Sequence, residues 1–329
     1  MDPPICSIGM RRVEDITLHP GMTASDIIRE MEKAGGFTAK FVAEGVSILE
    51  EMVRDPKSVN FLSFPADVVS TGVRGILVDM LRRNLFDVVI TTGGTIDHDV
   101  ARCFADYYHG SFDADDSELY ERRIHRLGNV FIPFDNYGPV VERFVREEVP
   151  KILEESGRRI SPSELLHSLG EKMCPNSILR TAYEARVPIF SPGLLDSSFG
   201  TALSFLSQEL DFHLDFIRDM LKLADLSFTM EVSGALVLGG GISKHHTIWW
   251  NQFKGGLDYV VYLTTAVEWD GSLSGARARE AISWGKVSKR AARTFIPGEV
   301  TALLPFMYAA LLDRISDLQR KGRQLIGKL

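Results

Sequence analysis

Five short apolar runs, each closed by Gly, Pro, Ser or Thr, most limit the folds open to this chain. They are SVNFLSF (58–64), DVVITT (87–92), PIFSP (188–192), GALVLGG (234–240) and DYVVYLTTA (258–266). A run with no polar alternation leaves no face for water. These segments therefore read as strands buried on both sides of a parallel sheet. Between them lie stretches of helical periodicity: ADVVSTGVRGILVDMLRRN, PVVERFVREEVPKILEESG and SQELDFHLDFIRDMLKLAD. SPSELLHSLGEK (161–172) adds a helix start, with Ser161 followed three residues later by Glu164. Such alternation implies a doubly wound α/β fold, a mostly parallel Rossmann-like sheet with helices on both faces. Residues 1–55 read as an N-terminal helical extension, and 56–329 as one α/β catalytic domain.

Composition serves mainly to exclude. Lys and Arg number 37 against 44 Asp and Glu, a net charge of 37 − 44 = −7. That disfavours broad binding to nucleic acid, which needs a basic face. Cys6, Cys103 and Cys174 lie far apart without CxxC spacing, which argues against a disulfide framework or a zinc site and suits a reducing compartment. TALLPFMYAALL, from Thr301, spans roughly twelve residues and contains Pro305. It is too short for a membrane and reads as a buried helix. The N-terminus lacks an apolar core with a cleavage site, so a cytoplasmic protein is expected. FDADDSELYERR (112–123) reads as a solvated loop entering a helix.

In open α/β sheets ligands bind beyond the carboxyl ends of the strands. Those ends carry GGTIDHD (93–99), GLLDSSFG (193–200), GGGISKHH (239–246) and VEWDGSLSGARAREAISWGK (267–286). Gly239, Gly240 and Gly241 bring backbone amides to a helix start, where they suit a pyrophosphate or only a tight turn. Thr91, Thr92, Gly93 and Gly94 repeat the pattern. Asp196 suits a ribose hydroxyl or a helix N-cap. Asp97, His98 and Asp99, like His245 and His246, are adjacent and so point apart, which argues against a metal. Trp249, Trp250, Trp269 and Trp284 fit a slot for an apolar chain with charged ends, or core packing. Lys286 follows Trp284. Burial beside a ring favours the neutral, nucleophilic amine, whereas pairing with Glu280 would favour the ammonium, so Glu280 is better assigned to a substrate amine.

At these motifs the chain resembles the deoxyhypusine synthases. GGGISKHH and DYVVYLTTAVEWDGSLSGARAREAISWGK carry the likeness, with weaker similarity in TTGG, HRLGNVFIP (125–133) and PIFSPGLLD. The resemblance implies NAD-dependent transfer of an aminobutyl group from spermidine, through an enzyme-lysine imine, to a lysine of the hypusine-containing translation initiation factor precursor. A hydride is removed from spermidine and later returned. The likeness assigns Lys286 as the transfer lysine. His245 and Glu280 handle the substrate's nitrogens, and Trp284 lines the slot. Asp67, Ser70, Thr92, Gly93, Gly94, Asp196, Gly239, Gly240, Gly241, Thr265, Ala266 and Glu299 fall at cofactor positions. Asp97, His98, Asp270, Gly271 and Ser272 fall at substrate positions. No metal is implied. Members are homotetramers with active sites at subunit interfaces, and the first twenty residues are candidates to cover a neighbour's entrance. The chain departs from the family pattern at Thr201, His98 and Leu273, where acids are expected, and at Asp67, Glu299 and Trp249. Either Asp97, Asp270 and Glu280 replace the missing carboxylates, or the amine donor differs. Homospermidine-type transfer to a small amine, and a non-catalytic NAD-binding paralogue, are the alternatives.

Overall fold

Six strands form the central sheet of the computed structural model, which describes residues 11–327. They are β1 (Ser58–Ser63), β2 (Val88–Thr92), β3 (Ile189–Gly193), β4 (Val232–Leu238), β5 (Leu257–Thr264) and β6 (Val287–Pro297). Every neighbouring pair is parallel, in the order β3-β2-β1-β4-β5-β6. The order reverses between β1 and β4. Connections diverge to opposite faces there and leave a crevice beyond the strand ends.

Successive side chains alternate between two apolar cores. Leu62, Val89, Leu236, Val261 and Ile296 join one, with the helices Phe37–Arg54 and Val300–Arg314. Phe61, Val88, Val237, Val260 and Tyr262 join the other, under the helices Phe216–Thr229, Gly241–Asn251 and Ala278–Ser283. Burial of both faces is why these strands lack polar alternation. Within the N-terminal 55 residues, the helices Ala24–Ala34 and Phe37–Arg54 pack into the first core through Ile28, Val42, Val46 and Leu49. Residues 1–10, half of the segment considered as a cover for a neighbour's entrance, lie outside the described residues, as does Cys6. Ser161 and Glu164 form the reciprocal capping box, and Pro305 sits inside the apolar C-terminal helix. Among the described residues no helix is long and apolar enough to cross a membrane.

Three expectations need correction. The sequence pattern hid β6, because its first half is polar and only partly buried. Lys289 and Arg290 stay exposed on it, and a register irregularity opposite Leu257–Tyr259 breaks its alternation. SQELDFHLDFIRDMLKLAD is not one helix. The helix Ser198–Glu209 ends, His213–Leu214 pairs with Arg159–Ile160, and Asp215 caps the new helix Phe216–Thr229. Pairing with a distant strand outweighed local helical periodicity.

The third correction is a disulfide between Cys103 and Cys174. Cys103 lies in the last turn of the helix Gly93–Phe104. One turn earlier, the Asp99 carboxylate accepts hydrogen bonds from the backbone amides of Ile178 and Leu179, at the start of the helix Ile178–Ala185. Asp99 is also paired with the buried Arg74 at 2.7 Å. That clamp brings the loop before Ile178 alongside Cys103. The 71-residue separation carries no sequence signal, and the cysteines no longer argue for a reducing compartment.

Candidate active site

Lys286 does not follow a strand end. It immediately precedes β6, at the N-terminal edge of the sheet, where its carbonyl accepts from Leu257 N–H. The side chain is 8% exposed. Its Nζ lies 5.5 Å from the ring centre of Trp249 and 5.3 Å from that of Trp284. Lys286, Trp284, Glu280, Lys244, Tyr262 and Leu273 contribute to the wall of one cavity of about 170 Å³. His245 stacks on Trp249 at 5.7 Å. Burial, followed by the charge of Lys286, holds His245 below its usual pKa, so at neutral pH its ring is free to accept a proton.

Lys244, the other lysine of the cavity, is built differently. Its Nζ donates to the carbonyls of Leu273 (2.7 Å), Ser274 (3.3 Å) and Ala276 (2.6 Å), and lies 4.2 Å from the centre of the Tyr262 ring. Burial pushes it down to about 8, which leaves roughly 90% charged at pH 7. With all three protons engaged it ties the Leu273–Ala276 loop down and is a poor nucleophile.

A second cavity, of about 520 Å³, opens at the reversal between β1 and β4. Asp67, Ser70, Gly239, Thr265 and Glu299 all line it, with Phe112 and Leu127–Val130 of a small antiparallel sheet closing one side. Asp67 is exposed in the turn after β1 and suits a ribose hydroxyl. Gly239 holds φ +69, and a Cβ there would meet Pro65 at 3.0 Å. Glu299 caps its helix by accepting from Thr301 and Ala302 N–H. Shape, position at the reversal and hydroxyl-binding groups fit a dinucleotide.

The remaining candidates lie elsewhere. Gly93 and Gly94 are packing positions: a Cβ would come within 2.6 Å of the Leu194 carbonyl or 2.9 Å of Ala66. Thr92 caps their helix without a side-chain bond. Gly240 packs against Ser274, and Gly241 N–H donates to the Ser274 hydroxyl. Ala266 N–H donates to Thr264. Asp196 is exposed, and the N-cap beside it is Ser197. Asp97 is buried and accepts from Ser198 N–H, Phe199 N–H and the Tyr137 hydroxyl. Its carboxylate is thereby used inside the protein. Asp270, Gly271 and Ser272 form a turn in which Asp270 accepts from Ser272 N–H; none of the three lines either cavity, although the next residue, Leu273, lines the Lys286 cavity. Thr201 bonds its own helix through the Ser197 carbonyl. Trp250 donates to His246, and Trp269 is 85% exposed. Among the described residues no group of three or more His, Cys, Asp or Glu side chains is placed to hold a metal. Sequence reasoning missed Tyr262, which looked like one more strand residue.

His98 bonds the Tyr107 hydroxyl, and burial followed by the charge of Arg102 pushes it down to about 4. An unfolded histidine binds its proton near 6.5. Between those values the unfolded chain takes up a proton that the folded chain refuses. Stability is therefore lost as pH falls through that window and is unaffected above it. At pH 5 the cost is about 2 kcal/mol. Denaturant unfolding of His98→Asn should show a loss between pH 7 and pH 5 smaller by that amount than in the parent.

The family model for deoxyhypusine synthase matches residues 26–311. The chain belongs to the deoxyhypusine synthase family. A protein named "Probable deoxyhypusine synthase" from Ignicoccus hospitalis is 50% identical over 311 residues, covering 92% of this chain and 96% of that one. One of the same name from Sulfolobus acidocaldarius is 50% identical over 302 residues, with 91% and 96% covered. The fold is also that of a crystal structure from Entamoeba histolytica, described as a candidate deoxyhypusine synthase. It has a TM-score of 0.60 at 17% identity and covers 92% of this chain and 96% of its own. Family members transfer an aminobutyl group, so the enzyme class is that of a transferase.

Within one chain the two cavities of this synthase-family fold open toward opposite faces of the sheet. The Lys286 backbone is level with Leu257 on β5, and its cavity reaches along that strand to Tyr262, two residues from the Thr264 that borders the larger cavity. Val68 and Val300 of the larger cavity belong to the first core, Tyr262 and Ala281 of the smaller one to the second.

Proposed function

We propose that this chain moves the aminobutyl group of spermidine to a lysine of the hypusine-containing translation initiation factor precursor, with Lys286 as carrier and NAD in the cavity at the β1/β4 reversal. The observation that carries this reading is a lysine buried between two indole rings, beside a carboxylate and a neutral histidine. When bound, NAD would take up and return the hydride. Asp67, Ser70, Gly239, Thr265 and Glu299 would hold it.

The chain's own groups do the rest. The Lys286 amine attacks the carbon of the oxidised donor's imine. Its proton passes to His245, and 1,3-diaminopropane leaves as the four-carbon unit becomes an imine on Nζ. The acceptor lysine then displaces Nζ in the same way. Trp249 and Trp284 keep water from the imine, which would otherwise hydrolyse. Glu280 pairs with an amine of the donor.

A second copy of the chain is part of the proposal. What supports it is the opening of the two cavities toward opposite faces of the sheet, together with exposed apolar side chains on the Lys286 side. Leu221, Phe228, Trp249, Phe253 and Trp284 all stand open there, and such a face suits a subunit interface. A pair related by a two-fold axis would set each Lys286 against the partner's dinucleotide, and two pairs would make the homotetramer.

The experiment is mass spectrometry of the protein after spermidine, NAD and borohydride. A reduced adduct on Lys286 is the expected result. An adduct on Lys244, or none, would overturn the assignment.

A further inference from the structure

One polar group in the wall of the Lys286 cavity has no part in that scheme. Tyr262 is 1% exposed on β5, and its hydroxyl has no hydrogen-bond partner. A buried hydroxyl left unpaired is destabilising, and a phenylalanine would fill the same space without that penalty. Lys244, whose Nζ lies 4.2 Å from the Tyr262 ring centre, directs its protons to three carbonyls and offers no lone pair. Burial raises the phenol's pKa far above neutrality. The group is therefore uncharged and able both to donate and to accept.

The acids tell the same story from the other side. Asp97 is engaged at the start of the helix Ser198–Glu209, and Asp270 lies in an exposed turn. Position 273 carries a leucine, which lines the cavity. Glu280 is the one carboxylate among the residues lining that cavity, yet a polyamine brings more than one nitrogen.

We infer that Tyr262 contacts substrate: its hydroxyl hydrogen-bonds the reacting nitrogen of the amine donor, while Glu280 pairs with a terminal ammonium. The inference rests on the polyamine reading of this cavity. Hydride loss from the carbon beside a nitrogen needs that nitrogen's lone pair, because an ammonium cannot stabilise the developing iminium. A carboxylate beside the nitrogen would favour the ammonium. A neutral phenol oxygen that accepts the amine's N–H positions the amine, leaves its lone pair free and draws no proton onto it. Tyr262 would thus let a cavity with a single acid oxidise a secondary amine, the class to which the donor's reacting nitrogen belongs.

The test is Tyr262→Phe in the full-length assembled enzyme, with spermidine and NAD as the probes. The expected result is a fall of about tenfold in kcat/KM for spermidine. NAD affinity should be unchanged, and Tm unchanged or higher, since an unpaired buried hydroxyl has gone. Unchanged kcat/KM would overturn the inference. A lowered Tm with NAD binding lost in parallel would also overturn it, by showing that the hydroxyl is structural. Failure of the parent protein to bind spermidine at all, read by calorimetry, would remove the polyamine reading and this inference with it. Binding by the parent with turnover untouched by the substitution would remove the inference alone.

Discussion

Lys286→Ala and Lys286→Arg chains should bind NAD as the parent does and lose aminobutyl transfer by at least about a thousandfold. Alanine has no amine, and the arginine guanidinium stays protonated and cannot form an imine. Both substitutions lie across the sheet from the larger cavity, so NAD affinity measured by calorimetry should not move. Mixing extends the test to the assembly. A Lys286→Ala chain and a Thr265→Trp chain, whose indole fills the cofactor cavity, should each be inactive alone. After subunit exchange half of the two-fold pairs are mixed, and each mixed pair has one intact site. Roughly a quarter of parental activity should return. No recovery after verified exchange would sink the shared site, and loss of NAD binding by Lys286→Ala would sink the separation of roles.

Replacing both Cys103 and Cys174 by serine should lower the unfolding free energy by about 4 kcal/mol, the loop-closure value for a cross-link of this span. Thermal denaturation would show it as a fall of roughly 6 °C. Reduction of the parent should produce the same shift, and the double variant should not respond to reductant. The consequence reaches the larger cavity. Arg102, next to Cys103, donates to the carbonyls of Val69 and Thr71, and Val68, Ser70 and Thr71 line that cavity. Equal Tm values for parent and double variant, both oxidised, would show that the bond contributes nothing.

How much was legible from the chain depends on the range of the interaction that decides each feature. The doubly wound sheet was readable because strands buried on two faces leave an unmistakable run of Val, Ile and Leu. The start at Ser161 was readable because a capping box is completed within four residues. Asp67, Thr265 and Glu299 came from the family likeness and Gly239 from its place between a strand and a helix, and with Ser70 they converge in one cavity. Asp97 could not be read, since its partners, Tyr137, Ser198 and Phe199, come from two distant segments. Only the pairing of β5 with β6 decided where Lys286 sits. Read locally, SWGK continues the loop after β5, but the helix Ala278–Ser283 returns the chain to the opposite edge of the sheet first.

By itself the sequence determined the strand periodicity, the helix starts and the motif that brings a lysine beside a tryptophan and a glycine. Those depend on side-chain pattern within a few residues, where backbone geometry repeats. Tertiary structure alone decided the Cys103–Cys174 bond, the use of Asp97 as a cap, the unpaired hydroxyl of Tyr262 and the opening of the Lys286 cavity and the larger cavity toward opposite faces of the sheet. Each of these is set by strand register and helix docking, which join residues that no local pattern links.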